Sequence, residues 1–142
     1  MTELDLPDVN VLVALLSPAH VHHDTAQTWF DSVACFATTP VTESGLVRMA
    51  MNPAVMGVAE SAERALALLR SLREDARAEF LPDDSSLAEA AIDLVGLVGF
   101  RRVTDLHLVN LAAAHSGRLV TFDTKIRPVL SPDDQARVHV LS

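Results

Sequence analysis

Short apolar runs alternating with amphipathic stretches along the whole chain set the strongest limit on its fold. Leu4 to Leu16 opens with strand character and passes into a helix, and His22 to Val33 reads as a second helix. A short strand is expected near Phe36 to Thr38, then a helix over Thr42 to Met51 that Asn52-Pro53 terminates. Ala62 to Arg77 has the clearest helical period, with Ala62, Ala65, Leu66, Leu69 and Leu72 on one face. Ala78 to Leu81 reads as a strand closed by Pro82-Asp83-Asp84-Ser85, and helices are expected over Ser86 to Leu97 and Asp105 to His115. Gly117 ends the latter, Leu119 to Phe122 follows as a strand, and Arg137 to Leu141 is a candidate edge strand. Strands separated by helices pair in parallel and carry helices on both faces, so the fold class is α/β. In such sheets ligands bind beyond the carboxyl ends of the strands, which is where functional side chains are to be sought.

The 142 residues favour a single domain over 1–142, and 49% apolar residues are ample for one core. Met1 to Asp8 is short and acidic, without the basic region of a secretory leader. The longest strongly apolar run, Val11 to Leu16, is far shorter than the roughly 20 residues of a membrane span. A soluble, cytoplasmic protein is therefore expected. Cys35 is the only cysteine, which excludes an intrachain disulfide and a thiolate metal site, and its apolar neighbours fit a buried, inert thiol.

The net charge of −8 runs against a basic nucleic-acid-binding face. A metal-dependent nuclease is a partial exception, because its acidic site holds cations and the cations attract the phosphate. An acidic surface also suits a basic protein partner.

Four acids occupy positions that ordinary surface charge does not explain. Asp8 and Asp123 fall at the carboxyl ends of expected strands, in Leu-Asp-Leu-Pro-Asp and Leu-Val-Thr-Phe-Asp. Alone, either is accounted for as a turn residue or helix cap. Glu43 and Asp105 say more. Steps of three, four and seven from Glu43 reach Leu46, Val47 and Ala50, and from Asp105 they reach Leu108, Val109 and Ala112. Each acid thus lies in a first helical turn on the apolar stripe, facing the sheet. An acid in a first turn complements the helix dipole, but that effect needs no particular face. Placing unpaired carboxylates toward a core costs several kcal/mol, roughly, unless cations compensate. The pattern therefore points to a metal site.

Oxygen ligands suit hard divalent cations such as Mg²⁺. Two such ions about 4 Å apart activate a water and stabilise the leaving oxygen of a phosphodiester. Asn10 is placed to orient a ligand or water, Thr42 and Thr104 to cap the helices that carry the next acids, and Thr121 stands just before Asp123.

Asp8-Val-Asn10-Val11-Leu12, Pro40-Val41-Thr42-Glu43, Thr104-Asp105-Leu106-His107-Leu108 and Gly117-Arg118-Leu119-Val120-Thr121-Phe122-Asp123 together resemble the PIN-domain family in order and spacing. The likeness runs from Asp8 to about Leu130 and is greatest to the VapC toxins of bacterial toxin–antitoxin pairs. The resemblance implies a three-layer α/β/α sandwich with a central, mainly parallel sheet. It also implies Mg²⁺- or Mn²⁺-dependent endoribonuclease activity on RNA, a homodimer, and inhibition by a cognate VapB-like antitoxin. Asp8, Glu43, Asp105 and Asp123 fall on the family's acidic quartet, as catalytic and metal-holding residues, and Asn10 on its Asn, Ser or Thr position. Pro7 departs from the pattern, because proline removes a ladder hydrogen bond and shortens or distorts the first strand next to Asp8.

Other residues have plainer explanations. His20, His22 and His23 invite a zinc reading, but no second His or Cys pair stands at a finger-like spacing. His107 and His115 read as helix-surface residues, and Asp83, Asp84, Asp133 and Asp134 as turn residues. Arg48, Arg118, Lys125 and Arg127 lie near the acids in sequence and are either phosphate contacts or solvated surface charge. Trp29 and Phe30 read as core. A haloacid-dehalogenase-like phosphatase with Asp8 as nucleophile needs a general acid two residues on, and Asn10 cannot exchange a proton. A catalytically silent PIN module that binds RNA or a protein is the other rival; the intact quartet counts against it.

Overall fold

The computed structural model describes residues 3–142. In chain order it contains β1 (Leu4–Pro7), α1 (Val9–Leu16), α2 (His23–Ser32), β2 (Phe36–Thr38), α3 (Pro40–Ala50) and α4 (Pro53–Met56). There follow α5 (Ala62–Arg73), β3 (Ala78–Phe80), α6 (Val103–Ala114), β4 (Gly117–Thr121) and β5 (Val138–Val140). The strands form one sheet in the order β3-β2-β1-β4-β5, and every pairing is parallel. Among the described residues no helix is long and apolar enough to cross a membrane.

The period-2 alternation of the strands builds two cores. Leu6, Leu119 and Val138 are neighbours in register and pack with Leu106, Leu108, Val109 and Leu111 of α6. Phe36 and Val120 face the other way, onto Val11, Leu12, Trp29, Leu46 and Leu72. Layers of helix, sheet and helix result, as expected from the resemblance. Helix α1 is buried from Val11 through Leu15, so it is apolar on all sides and lies sandwiched between sheet and outer helices. Fully burying a leucine such as Leu6 or Leu119 contributes about 1.5–3 kcal/mol. The central strands are therefore firmly anchored, and so are the chain segments that leave their carboxyl ends.

Pro7 does shorten one pairing. Asp5 N–H donates to Cys35 across to β2, and Asp8 N–H donates to Val120 across to β4. By that alternation the N–H that proline lacks belongs to the β2 side. Accordingly β1 pairs with β4 from Leu4 to Pro7 but with β2 only at Asp5. Asp8 keeps its 2.8 Å tie to β4, so the proline before it does not detach it from the sheet.

Several expected elements differ. The helix over Ser86 to Leu97 is absent, and only a 3₁₀ turn at Leu87–Glu89 forms there. Ser86 Oγ accepts from Ala88 N–H and Asp93 Oδ1 from Val95 N–H, so side chains take the backbone donors that a helix would use. Buried Asn110 of α6 then fixes the segment, accepting from Ala91 N–H at 2.7 Å and donating to the Ser86 carbonyl at 3.3 Å. Gly96 lies against the Val129 carbonyl, where no Cβ would fit. Helix α5 stops at Arg73 because Asp75 accepts from Arg77 N–H and turns the chain into β3. Asn52 ends α3 but also caps α4, with Pro53 at its first position. Cys35 is half-buried rather than buried, and burial is the main cause that pushes its thiol up, away from reactivity.

Candidate active site

Asp8 is the joint between β1 and α1. Its Oδ1 caps the helix by accepting from Val9 N–H at 2.8 Å, and its Oδ2 accepts from the Thr121 hydroxyl at 3.2 Å. Burial pushes the Asp8 carboxyl above its ordinary value, and the negative charges of Asp105 and Asp123 add to that, against the hydrogen bonds from Val9 and Thr121. Electrostatically, then, Asp8, Asp105 and Asp123 share one site at the carboxyl edge of the sheet.

Thr121, the buried last residue of β4, joins them. Besides donating to Asp8 it accepts from Asn10 Nδ2 at 3.2 Å and from Asp123 N–H at 3.1 Å. Asn10 Oδ1 in turn accepts from Phe122 N–H at 3.4 Å, so Asn10 holds the β4 exit rather than standing free. Asp123 Oδ1 accepts from Lys125 N–H at 2.8 Å. Burial opposes the charge on Asp123, but that N–H and the nearby Arg102 outweigh it and hold the carboxyl below its usual range.

Glu43 stands one strand over. It sits in the first turn of α3, and its Oε2 accepts from Thr38 Oγ1 at 2.7 Å, with Arg73 Nε at 3.7 Å. Thr42 and Thr104 are not the expected caps. The N-cap of α3 is Thr39, whose N–H donates to Thr42 Oγ1, while α6 begins at Val103 with Arg102 before it and Thr104 exposed. Both helices start two residues earlier than the sequence indicated, Pro40 opening one of them.

The residue that sequence reasoning missed is Arg102. Its Nη1 donates to Asp123 Oδ2 at 2.8 Å and to Asp105 Oδ2 at 3.0 Å, so one guanidinium nitrogen bridges two of the four acids. The i,i+3 spacing to Asp105 was a visible signal, but the contact with Asp123 depends on the fold. Arg48 lies on the outer wall of α3, beside an apolar groove lined by Val47, Leu66, Leu69 and Phe80. Arg118 is at the opposite end of β4 from Asp123. Its Nε donates to buried Asp5 at 2.9 Å, and Asp5 also accepts from the Trp29 indole at 2.8 Å. Arg118 is therefore not gathered with the quartet.

The histidine trio holds no ion-binding geometry. His22 N–H donates to His20 Nδ1, the His22 ring stacks on Phe122 at 4.7 Å, and His23 Nδ1 bonds the Ala14 carbonyl. Among the described residues no three His, Cys, Asp or Glu side chains converge closely enough to share one ion. The chemistry of the quartet nonetheless fits a hard divalent cation, because every donor is a carboxylate oxygen. The charge balance fits too, since a cationic side chain already bridges two of the acids.

Known proteins are similar to this chain in sequence and in fold. A PIN-domain family model matches residues 6–129. Ribonuclease VapC39 of Mycobacterium tuberculosis is 47% identical over 124 residues, which cover 85% of this chain and 89% of that protein. Ribonuclease VapC38 of the same species is 40% identical over 139 residues, or 96% and 97% of the two chains. The crystal structure of VapBC2 from Rickettsia felis, bound to a DNA fragment from their promoter, superposes with a TM-score of 0.63. That match covers 98% of this chain and 99% of the other at 14% identity, and it is a likeness of fold.

Proposed function

This chain belongs to the PIN-domain family as a VapC-type toxin endoribonuclease, and we propose that it cuts RNA with divalent ions held by Asp8, Glu43, Asp105 and Asp123. Membership in that family removes the phosphatase reading. The observation that carries the metal proposal is that Asp8 and Asp123 meet at the Thr121 hydroxyl while Asp123 and Asp105 meet at the Arg102 guanidinium, so three acids gather where positive charge is needed.

When bound, Mg²⁺ or Mn²⁺ would supply a water activated at neutral pH and would neutralise charge on the phosphodiester. The chain's own residues do the rest. Thr121 and Val9 N–H orient the two oxygens of Asp8, leaving its remaining lone pairs toward the site. Thr121 and Lys125 N–H fix Asp123. Thr38 holds Glu43 at the neighbouring strand end. Asn10 acts through Thr121 and Phe122, as a positioning residue.

Partners follow from the same reading. The substrate is RNA, and a VapB-like antitoxin is the proposed inhibitor, its basic groups drawn by a net charge of −8. The apolar groove between α3 and α5, about 530 Å³ and flanked by Glu43, suits an amphipathic segment of that antitoxin. A homodimer is also proposed, with light scattering as its check. The deciding experiment is cleavage of RNA by the purified, antitoxin-free protein with Mn²⁺, with chelator, and with Asp8→Asn. Cleavage that needs metal and Asp8 is expected. Cleavage indifferent to both overturns the metal proposal, and no cleavage at all leaves a silent binding module.

A further inference from the structure

A cation at a helix N-terminus opposes the helix dipole, yet Arg102 stands immediately before α6 with its guanidinium turned into the acidic site. One nitrogen, Nη1, is within 3.0 Å of both Asp105 Oδ2 and Asp123 Oδ2. Those oxygens come from different elements, the first turn of α6 and the exit of β4. The Arg102 side chain is about a quarter exposed, so this pairing is neither dispersed on the surface nor sealed in the core. An oxygen bound at 2.8 Å to an N–H cannot direct the same lone pair at an ion. With Arg102 in this place, no three acids among the described residues share one ion position.

We propose that Arg102 is the resident counter-cation of Asp105 and Asp123, and that it sets the protein's affinity for divalent ions because it must leave these oxygens before an ion takes them. The proposal rests on the acidic quartet being a metal site. Arg102 thus does in the metal-free protein what the ion does in the loaded one: it cancels the repulsion between two carboxylates. A competitor built into the chain lowers apparent affinity to the fraction of time that it leaves the site free. For two partly exposed ion pairs that fraction corresponds to an effect of about five- to tenfold.

The test is Mn²⁺ titration by calorimetry, with melting in chelator, for the full chain and for Arg102→Gln, Arg102→Lys and Asp8→Asn. Arg102→Gln is expected to bind Mn²⁺ about five- to tenfold more tightly while melting lower in chelator by roughly 2–4 °C. Arg102→Lys keeps the charge without the planar fork and should fall between Gln and the natural residue in both measurements. If Arg102→Gln binds Mn²⁺ equally or more weakly while Asp8→Asn has lost binding, the arginine is not a competitor and the metal site stands without it. If the unaltered chain takes up no Mn²⁺, this proposal fails together with the metal reading beneath it.

Discussion

The Thr121 hydroxyl donates to Asp8 Oδ2 at 3.2 Å across the gap between two parallel strands. With Asn10 Nδ2 and Asp123 N–H as its two donors, the hydroxyl uses its whole hydrogen-bonding capacity. One small side chain therefore orients both strand-end acids, and it does so one residue beyond Pro7 and Val120, the last registered pair of β1 and β4.

Thr121→Val removes that hub without changing shape. Two donors lose their acceptor in a buried place, at a cost of about 2 kcal/mol, or a melting loss of roughly 4–8 °C. Asp8 also loses a bond that favours its charged form, so the acid limb of the cleavage rate should move to higher pH. Thr121→Ser should restore both quantities. An unmoved pH profile in Thr121→Val would show that the threonine is only structural.

The ion pairs of Arg102 separate the acids in the metal-free protein. Among the described residues Asp8 has no cationic partner, and it carries the like charges of Asp105 and Asp123. Asp8→Asn relieves that repulsion and leaves a good helix cap, so it should raise melting in chelator by roughly 2–5 °C, on the order of 1 kcal/mol. Asp105→Asn instead takes a partner from Arg102 and should give no such gain. Both should abolish metal-dependent cleavage. Equal stabilisation by the two substitutions would contradict the bridging role of Arg102.

Much of this arrangement was legible in the chain itself. Asp8 and Asp123 are conspicuous because a short apolar run ends at each, and the stripe count puts Glu43 and Asp105 on the inner faces of their helices. What the local pattern could not supply depended on distant partners. The apolar spacing of 86–97 matches a helix, but Ser86 and Asp93 capture backbone donors and Asn110, far along the chain, holds the segment open. Arg118 adjoins the acids in sequence, yet the register that pairs it with Asp5 carries it to the opposite end of β4. Asp5 itself drew no notice, because an acid inside a strand signals nothing until Trp29 and Arg118 are seen to satisfy it.

Asn110 offers a test of that long segment. Asn110→Leu fits the surrounding core but leaves Ala91 N–H and the Ser86 carbonyl without partners. The expected cost is about 2–3 kcal/mol. Hydrogen exchange should locate the loss at residues 86–91, ahead of the sheet. Uniform exchange across the whole protein would mean that the segment is not an independent unit.

The antitoxin proposal predicts a variant that separates inhibition from catalysis. Leu66 is 38% exposed on α5 and lines the groove that Glu43 flanks, as an apolar side chain with no group to bind a metal or a phosphate. Leu66→Lys places a charge where an apolar anchor of the partner would have to be desolvated, so inhibitor affinity should fall about tenfold or more. RNA cleavage by the free protein should be unchanged. The check is binding and inhibition with the product of the short reading frame expected immediately upstream. Undiminished inhibition of Leu66→Lys would place the antitoxin on another face.

The last prediction concerns pH and follows from the sign of the Asp8 shift. Its carboxyl is pushed up in the folded chain, mainly by burial, so between its ordinary value and the raised one the native state holds more protons than the unfolded state. Through this group, stability without metal must fall as pH rises across that window and then level off. Asp123 acts in the opposite direction: its carboxyl is held low, so it adds stability as pH rises to the ordinary range. The two contributions are separable by subtraction. The melting difference between Asp8→Asn and the unaltered protein, in chelator, should be small in strong acid, grow as Asp8 loses its proton, and become constant. Saturating Mn²⁺ favours the ionised carboxylate, so in metal the same difference should instead fall as pH rises and level off with Asp8→Asn the less stable protein, because only the unaltered protein then gains the ion. A difference that stays flat with pH in chelator would mean that Asp8 titrates like an ordinary carboxylate and that its burial does not prepare it for a cation.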